Sequence, residues 1–158
     1  MTREEIIAVL SSTGAALARV LAGLSEDDLR WRPDPLAWSA KEVACHMRDF
    51  AEIFSARLER MVAEEEPYVL DHDPDGLAQV RWYQGQQGGT LPAEFCRHRE
   101  RTLVLLRALD SAGWQRVGVH QVAGRLTIEQ MTAAMARHDL QHLEDLRALR
   151  RARGLPPA

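Results

Sequence analysis

Two histidines in the last quarter of the chain, His138 and His142, have a spacing that suits a metal site. Residues four apart on a helix lie about 40° apart around its axis and one turn apart along it, so both imidazoles project the same way. Both also fall within an apolar stripe, where each neutral imidazole needs a partner for its polar nitrogens. A shared metal ion would be such a partner. Two hydrogen-bonded core histidines are the alternative, and spacing alone leaves both open.

A third histidine, His46, lies at the edge of the apolar stripe of an earlier predicted helix, about 60° around the axis from Val43. It is therefore placed to face a neighbouring helix. Three imidazoles from two helices would give the ligand count of a catalytic zinc site, which keeps one position for water or substrate; structural sites are usually closed by four protein ligands. Imidazole also suits nickel, copper and iron, so the ligand type does not identify the metal.

Four amphipathic helices are predicted to position these side chains. Three of them begin with a capping box, in which a Ser or Thr is followed three residues later by Glu or Gln. The third helix begins near a proline, which is well placed in a first turn. The predicted helices run from Thr2 to near Gly23, from Ser39 to about Glu64, from Pro92 to near Gly113, and from Thr127 to at least Leu149.

The connections between these helices differ in length. Residues 25–35 are predicted to hold a short helical turn at most, and residues 114–126 an extended or looped link. Residues 65–90 lose periodicity and are rich in Pro and Gly, which indicates a long connection with room for one short helix around residues 77–83. The sequence contains almost no segments that are predicted to pair as β-strands. The predicted fold class is therefore all-α, a four-helix bundle with a long crossover between the second and third helices.

Composition narrows the class of protein. With 158 residues, 46% apolar and 27% charged, the chain suits one globular domain over residues 1–158. The net charge of −3 and the mixing of basic with acidic residues argue against nucleic-acid binding. No apolar run approaches a membrane span and the amino-terminal residues do not resemble a secretory signal, so we expect a cytoplasmic protein. Cys45 and Cys96 are expected to be small buried hydrophobic residues.

Three separated motifs together resemble the DinB/YfiT superfamily of metal-binding four-helix bundles. They are the segment from Trp38 to Asp49, with His46 seven residues after Ser39, the helix start at residues 126–130, and the late His138-Asp-Leu-Gln-His142. The likeness spans nearly the whole chain. It implies an up-down-down-up bundle, in which residues 65–90 form the crossover, and a divalent metal, Zn or Ni, held by His46, His138 and His142.

The resemblance also implies a range of activities and partners. Members of the superfamily include metal-dependent hydrolases, transferases that join low-molecular-weight thiols to electrophiles, and a thiol-dependent maleylpyruvate isomerase. It implies a small-molecule substrate, a low-molecular-weight thiol as a potential partner, and a homodimer as a plausible assembly. We expect the protein to bind neither nucleic acid nor membranes.

A carboxylate commonly orients a metal-bound imidazole. Glu42, Asp49, Asp139 and Asp145 each lie within about one turn of a candidate ligand, and any of them could serve. The alternative for each is a solvated charge on a helix face. Glu42 already has a part in a capping box. We select Asp49 for a supporting catalytic role, because it also matches an acidic position that often follows the first His in the superfamily.

The other histidines and the tryptophans have less specific roles. His98 lies on the inward stripe of the third predicted helix, where it could be a fourth ligand or proton shuttle, although a satisfied core His is the simpler interpretation. His72 and His120 are expected at the surface, with His120 in the loop that leads to the fourth helix. The four tryptophans, in or beside connections, are expected to close the ends of the bundle and pack the crossover, and some of them to line a pocket. They are Trp31, Trp38, Trp82 and Trp114.

Three hypotheses for function follow from these patterns. The first is a metal-dependent enzyme that activates a water or a thiol, a hydrolase or thiol S-transferase. The second is a non-catalytic metal-binding module of the stress response, and the third is a helical interaction domain without metal. The chain has no GxSxG motif and no phosphate-binding glycine loop, which argues against serine hydrolase and nucleotide-dependent chemistry.

Overall fold

The computed structural model of the protein describes residues 1–157; residue 158, the last of the predicted domain, lies outside them. Four long helices account for most of the described chain, and three shorter helices lie in the connections. In chain order the helices are α1 (Arg3–Leu21), α2 (Glu26–Arg30), α3 (Ala40–Ala63), α4 (Pro74–Val80), α5 (Leu91–Ala108), α6 (Ser111–Trp114) and α7 (Ile128–Ala152). No helix in residues 1–157 is both long and apolar enough to cross a membrane.

The three predicted capping boxes are all formed. The side chains of Thr2, Ser39 and Thr127 each accept a hydrogen bond from a backbone amide three residues on, and the Glu or Gln there bonds back. These starts were predictable because a capping box is a local signal. The crossover helix α4 starts earlier than predicted, since Asp73 caps it and Pro74 occupies its first turn.

The end of the third long helix differs from its prediction. The apolar stripe continues toward Gly113, but α5 ends at Ala108. The side chain of Asp110 accepts a hydrogen bond from the Gly113 amide and so caps the separate helix α6. The helix therefore ends at Ala108, although the hydrophobic periodicity continues beyond that residue.

Each long helix packs against two others. Helices α1 and α3 each contact both α5 and α7, and these four interfaces hold the apolar core. Arg3 at the start of α1 pairs with Glu129 at the start of α7, while Arg150 near the end of α7 donates to the Val20 carbonyl near the end of α1. Arg48 of α3 similarly pairs with Glu94 in the first turn of α5. Such contacts set the alignment of the helices along the bundle.

The protein also contains a small β-sheet, which the predicted all-α fold class did not include. It has the order β1 (Tyr68–Val69), β2 (Val117–His120) and β3 (Gly124–Thr127), with β1 parallel to β2 and β2 antiparallel to β3. The expectation of almost no strand pairing was therefore wrong. The sheet lies against the end of α3, where a Cβ on Gly118 would meet the Met61 side chain at 2.9 Å. Any other residue at position 118 would require the Met61 side chain to shift.

Candidate metal centre

The three predicted metal ligands lie together between two long helices. Helix α3 supplies His46, and α7 supplies His138 and His142 from adjacent turns of one face. One potential ligand atom from each residue lies within 4.8 Å of the other two. The Nε2 atoms of His46 and His138 are 2.9 Å apart. No other group of three or more His, Cys, Asp or Glu side chains in residues 1–157 converges in this way.

The geometry of this histidine cluster fits a divalent ion. Bonds of about 2.0–2.1 Å to tetrahedral zinc place ligand nitrogens about 3.3 Å apart. The observed separations, from 2.9 Å up to at most 4.8 Å, lie on either side of that distance. Small rotations of the imidazoles would therefore bring all three nitrogens into coordination. An all-imidazole donor set is compatible with both zinc and nickel.

Burial keeps two of the three cluster imidazoles, those of His46 and His142, in the protonation state that a metal needs. Burial, together with repulsion from the neighbouring imidazoles of His138 and His142, lowers the pKa of His46 to about 3. The pKa of His142 is lowered as well, first by burial and then by His138. These two rings are neutral at neutral pH, and a neutral imidazole is the form that binds metal.

Aromatic rings surround the cluster on its protein side. Phe50 lies with its ring centroid 4.2 Å from that of His46 and stacks on His138 at 5.3 Å. Trp38 meets His46 edge-on at 5.1 Å. Yet about a fifth of the side-chain surface of His138 and of His142 remains exposed, 22% and 20%. The cluster therefore has an apolar wall on one side and is open to solvent on another.

Asp145 is the carboxylate with the clearest hold on a cluster imidazole. Its Oδ2 lies 2.9 Å from Nδ1 of His142. This contact favours the tautomer in which Nδ1 carries the proton and Nε2 has a free lone pair for a metal. Asp139 lies farther from its neighbour, with 3.6 Å between Oδ1 and Nδ1 of His138, and is itself held by Arg99 at 2.6 Å in a buried ion pair.

The structure places the carboxylate of Asp49 away from the histidine cluster. Its fully buried carboxylate accepts hydrogen bonds from the Tyr83 hydroxyl at 2.7 Å and from Arg48 at 2.7 Å, and lies 3.0 Å from Arg81. None of these partners is a histidine of the cluster, and two of them, Tyr83 and Arg81, belong to the crossover. A position three residues beyond His46 is turned by about 60° around the helix, which directs Asp49 to the crossover instead of to α7. Asp49 joins α3 to the crossover.

Glu42 has two structural roles at the start of α3. It completes the capping box with Ser39, and it accepts two hydrogen bonds from the Arg32 guanidinium. These contacts hold its pKa low against the opposing effect of burial. Its predicted part in the capping box is confirmed.

The remaining histidines lie outside the cluster. His98 on α5 does not join it, and its buried Nδ1 has no hydrogen-bond partner in the described part of the chain. Nδ1 of His72 lies 3.2 Å from a nitrogen of Arg57. His120 is half-buried in β2, and its Nδ1 accepts hydrogen bonds from two backbone amides of the following turn. His98 is thus not placed as a fourth ligand.

The tryptophans and cysteines differ in burial, and one tryptophan contacts the histidine cluster. Trp114 is buried at one end of the bundle, as expected, but Trp82 in the crossover is 71% exposed. The contact of Trp38 with His46 was not predicted, because the helix cap between them removes any helical spacing. Cys45 is buried, and burial raises its pKa to about 12. Cys96 is exposed, which corrects the expectation that both cysteines are buried.

The protein is therefore a helical bundle with a three-histidine cluster between two long helices. The family model of the DinB superfamily matches residues 10–146, and the chain belongs to this superfamily. The resemblance drawn from the sequence motifs is thereby confirmed.

Individual relatives are distant in sequence, and the solved structures among them share the fold. The uncharacterized protein YuaE of Bacillus subtilis (strain 168) is 22% identical over 142 residues, covering 82% of this chain and 88% of YuaE. YfiT from Bacillus subtilis, described as a probable metal-dependent hydrolase with an unusual four-helix bundle topology, matches with a TM-score of 0.90 at 19% identity, over 98% of this chain and 89% of its own.

A second structural neighbour is larger than this chain. The mycothiol-dependent maleylpyruvate isomerase matches with a TM-score of 0.74 at 12% identity, and the match covers 92% of this chain but 61% of the isomerase. At these identities the structural matches establish a shared fold.

Proposed function

We propose that this protein is a single-domain, divalent-metal-dependent enzyme whose metal is held by His46, His138 and His142. The observation that carries the proposal is the convergence of three imidazoles at a place that solvent can reach. A purely structural site is usually closed by a fourth protein ligand. The described residues around the cluster offer no fourth His or Cys, which supports a catalytic role over a structural one.

The reaction we propose is hydrolysis or the transfer of a low-molecular-weight thiol to an electrophile. A bound Zn or Ni ion would supply Lewis acidity, which lowers the pKa of a coordinated water or thiol. Asp145 holds the His142 ring in a fixed orientation, and the Phe50 and Trp38 rings limit access of water from the protein side. Cys45 is buried and its pKa is raised to about 12, and Cys96 does not join the cluster, so a thiol nucleophile would come from solution.

Two structural neighbours support these reaction types. YfiT is described as a probable metal-dependent hydrolase, and the isomerase is described as mycothiol-dependent. The first description favours activation of water and the second favours a thiol co-substrate. Assays that pair small thiols with electrophiles, run beside an ester and amide panel, separate the two. Thiol transfer that stops on metal removal supports the transferase, and hydrolysis without thiol supports the hydrolase.

Elemental analysis of protein purified without a His tag tests the metal. We expect close to one Zn or Ni ion per chain, and its loss in a His46→Ala, His138→Ala double variant. The matched control is His98→Ala, which removes an imidazole outside the cluster and should retain the metal. Protein that contains no near-stoichiometric metal, or a double variant that keeps it, would favour a helical interaction domain. Loss of metal in His98→Ala would favour a closed, non-catalytic site.

We also propose the up-down-down-up order of the long helices, a cytoplasmic location and a homodimer. The pairing of Arg3 with Glu129 and of Arg150 with Val20 supports a common direction for α1 and α7. The homodimer rests on the family resemblance, and the cytoplasmic location stays a prediction from the sequence. Light scattering coupled to size exclusion tests the dimer directly, since a mass near 17.8 kDa would contradict it.

A further inference from the structure

A cavity of about 490 Å³ adjoins the histidine cluster on its Trp38 side. Its walls come from the segment before α3, from the start of α3 and from the crossover. Small-molecule sites in proteins commonly have volumes of about 300–1,000 Å³, combining apolar walls with a few polar groups. This cavity has both, and its lining includes Arg32, Trp38, Glu42, Asp75 and Trp82.

Trp38 is the wall that the cavity and the cluster share. Its ring lies 5.1 Å from the His46 ring between centroids, and the same residue lines the cavity. Its Nε1 donates a hydrogen bond to Asp75 at 3.1 Å, which fixes the indole between the two spaces. A molecule in the cavity would therefore be separated from the histidine cluster by the Trp38 indole ring.

Trp82 is held in an unusual conformation at the edge of the cavity. Its φ of 48° lies in the left-handed region, which is rare for a bulky residue. Its ring lies against Gly85, where a Cβ would meet the ring at 2.3 Å, so only glycine permits this arrangement. The residue is nevertheless 71% exposed. Strained backbone that presents an exposed aromatic ring at a cavity indicates a binding surface.

The charges around the cavity favour a cation. The positive charge of Arg32 is neutralised by Glu42, which accepts two of its hydrogen bonds. Within residues 1–157 the Asp75 carboxylate accepts a hydrogen bond from the Trp38 indole and pairs with no cation. An electron-rich indole face also attracts cations, and two indoles line this cavity. The lining thus combines aromatic faces with one uncompensated carboxylate.

We propose that this cavity binds an organic ammonium group on the molecule that reacts at the histidine cluster. The apolar residues among the lining would contact the carbon skeleton, and Trp38, Trp82 and Asp75 would contact the cationic head. The identification of this molecule as a substrate rests on the proposed metal-dependent function. The preference of the cavity for a cation does not depend on a metal.

Three probes of the same shape test the preference for charge. They are choline, its neutral isostere 3,3-dimethylbutan-1-ol, and the anion 3,3-dimethylbutanoate. The quaternary nitrogen of choline has no lone pair and so cannot bind a metal. Binding is followed by NMR of the indole N–H groups, assigned with Trp38→Phe and Trp82→Phe. We expect saturable shifts at Trp38 and Trp82, with choline bound about fivefold more tightly than the neutral probe.

Variants attribute the binding to the cavity. Asp75→Asn keeps the hydrogen-bond acceptor for Trp38 but removes the charge, and should weaken choline binding about threefold without affecting the neutral probe. Asp27→Asn, which changes a carboxylate outside the cavity lining, is the control and should have no effect. Trp82→Ala should weaken both probes, and the folded state of each variant is verified by the dispersion of the same spectra.

Several results would overturn the proposal. They are equal or tighter binding of the neutral or anionic probe, shifts confined to Trp31 and Trp114, and no shift with choline at tens of millimolar. The titration is repeated on protein stripped of metal by a chelator. Choline binding to the stripped protein supports the cavity even where the metal proposal fails, while failure of choline to bind metal-loaded protein rejects the cavity alone.

Discussion

At the scale of single residues, the orientation of the imidazoles depends on which carboxylate holds them. Asp145 contacts Nδ1 of His142 at 2.9 Å and also accepts a hydrogen bond from Gln141. Asp49 is instead occupied by Tyr83, Arg48 and Arg81. The two carboxylates lie equally close to a candidate ligand in sequence, three residues after it. Their different roles come from the partner that each helix face meets.

The first prediction separates these two carboxylates. Asp145→Asn should lower the affinity for Zn about tenfold, because the His142 ring loses the negative charge that strengthens its Nδ1 hydrogen bond and raises the basicity of its Nε2. Asp49→Asn should leave the affinity of the folded protein within about twofold of its original value, since that carboxylate does not touch the cluster. Competition against a chromogenic chelator measures both.

The matched control for this prediction is Glu144→Gln. Glu144 is exposed on α7 beside Asp145 and pairs with Arg151, so it contributes the same formal charge without touching an imidazole. A tenfold loss in Glu144→Gln would mean that net charge on α7, and not the contact with His142, governs the affinity. An equal loss in Asp49→Asn would restore Asp49 to the role first assigned to it.

At the scale of elements, the crossover is attached to α3 by buried polar contacts. The Tyr83 side chain is almost fully buried and its hydroxyl donates to Asp49, while the Gln84 amide donates to Ser39 and Glu42. These bonds place the crossover beside the start of α3, where it forms part of the cavity wall. A hydrogen bond to a buried carboxylate contributes about 1.5–3 kcal/mol.

The second prediction is that Tyr83→Phe destabilises the fold by about 2 kcal/mol, because it leaves a buried carboxylate oxygen with one donor fewer. Urea unfolding measures the free energy, and hydrogen exchange of residues 81–86 should increase more than that of α1. Tyr68→Phe is the control, since Tyr68 is 53% exposed. An equal effect of both substitutions, or none in Tyr83→Phe, would show that the Tyr83–Asp49 hydrogen bond does not stabilise the fold.

The elements differ in how far sequence alone predicts them. The starts of α1, α3 and α7 were predictable because a capping box involves residues only three apart. The sheet was not, since Tyr68 pairs with Val119 and the two-residue strand β1 has no periodicity to recognise. The same limit applies to the site: the shared face of His138 and His142 follows from helix geometry, whereas the contact of Trp38 with His46 depends on packing.

At the scale of the whole molecule, the histidine cluster joins two helices that are far apart in sequence. His46 and His138 are separated by 92 positions, and α3 and α7 have a smaller shared interface than α3 has with α5. A metal bound by both helices would therefore reinforce one of the weaker interfaces of the bundle. Since such a site requires the folded chain, the binding free energy adds to the stability of the native state.

The last prediction is that metal binding raises the melting temperature of the protein. Free Zn or Ni at a hundredfold excess over its Kd should stabilise the native state by about 2.7 kcal/mol, a shift of roughly 5–10 °C in a domain of this size. The double variant His46→Ala, His138→Ala should show no shift, and His98→Ala should show the full one. Calorimetry of chelator-treated and metal-loaded protein gives the comparison. An equal shift in the double variant would place the stabilising metal away from the cluster, while no shift in the unmodified protein would mean that the three histidines do not join α3 to α7 through an ion.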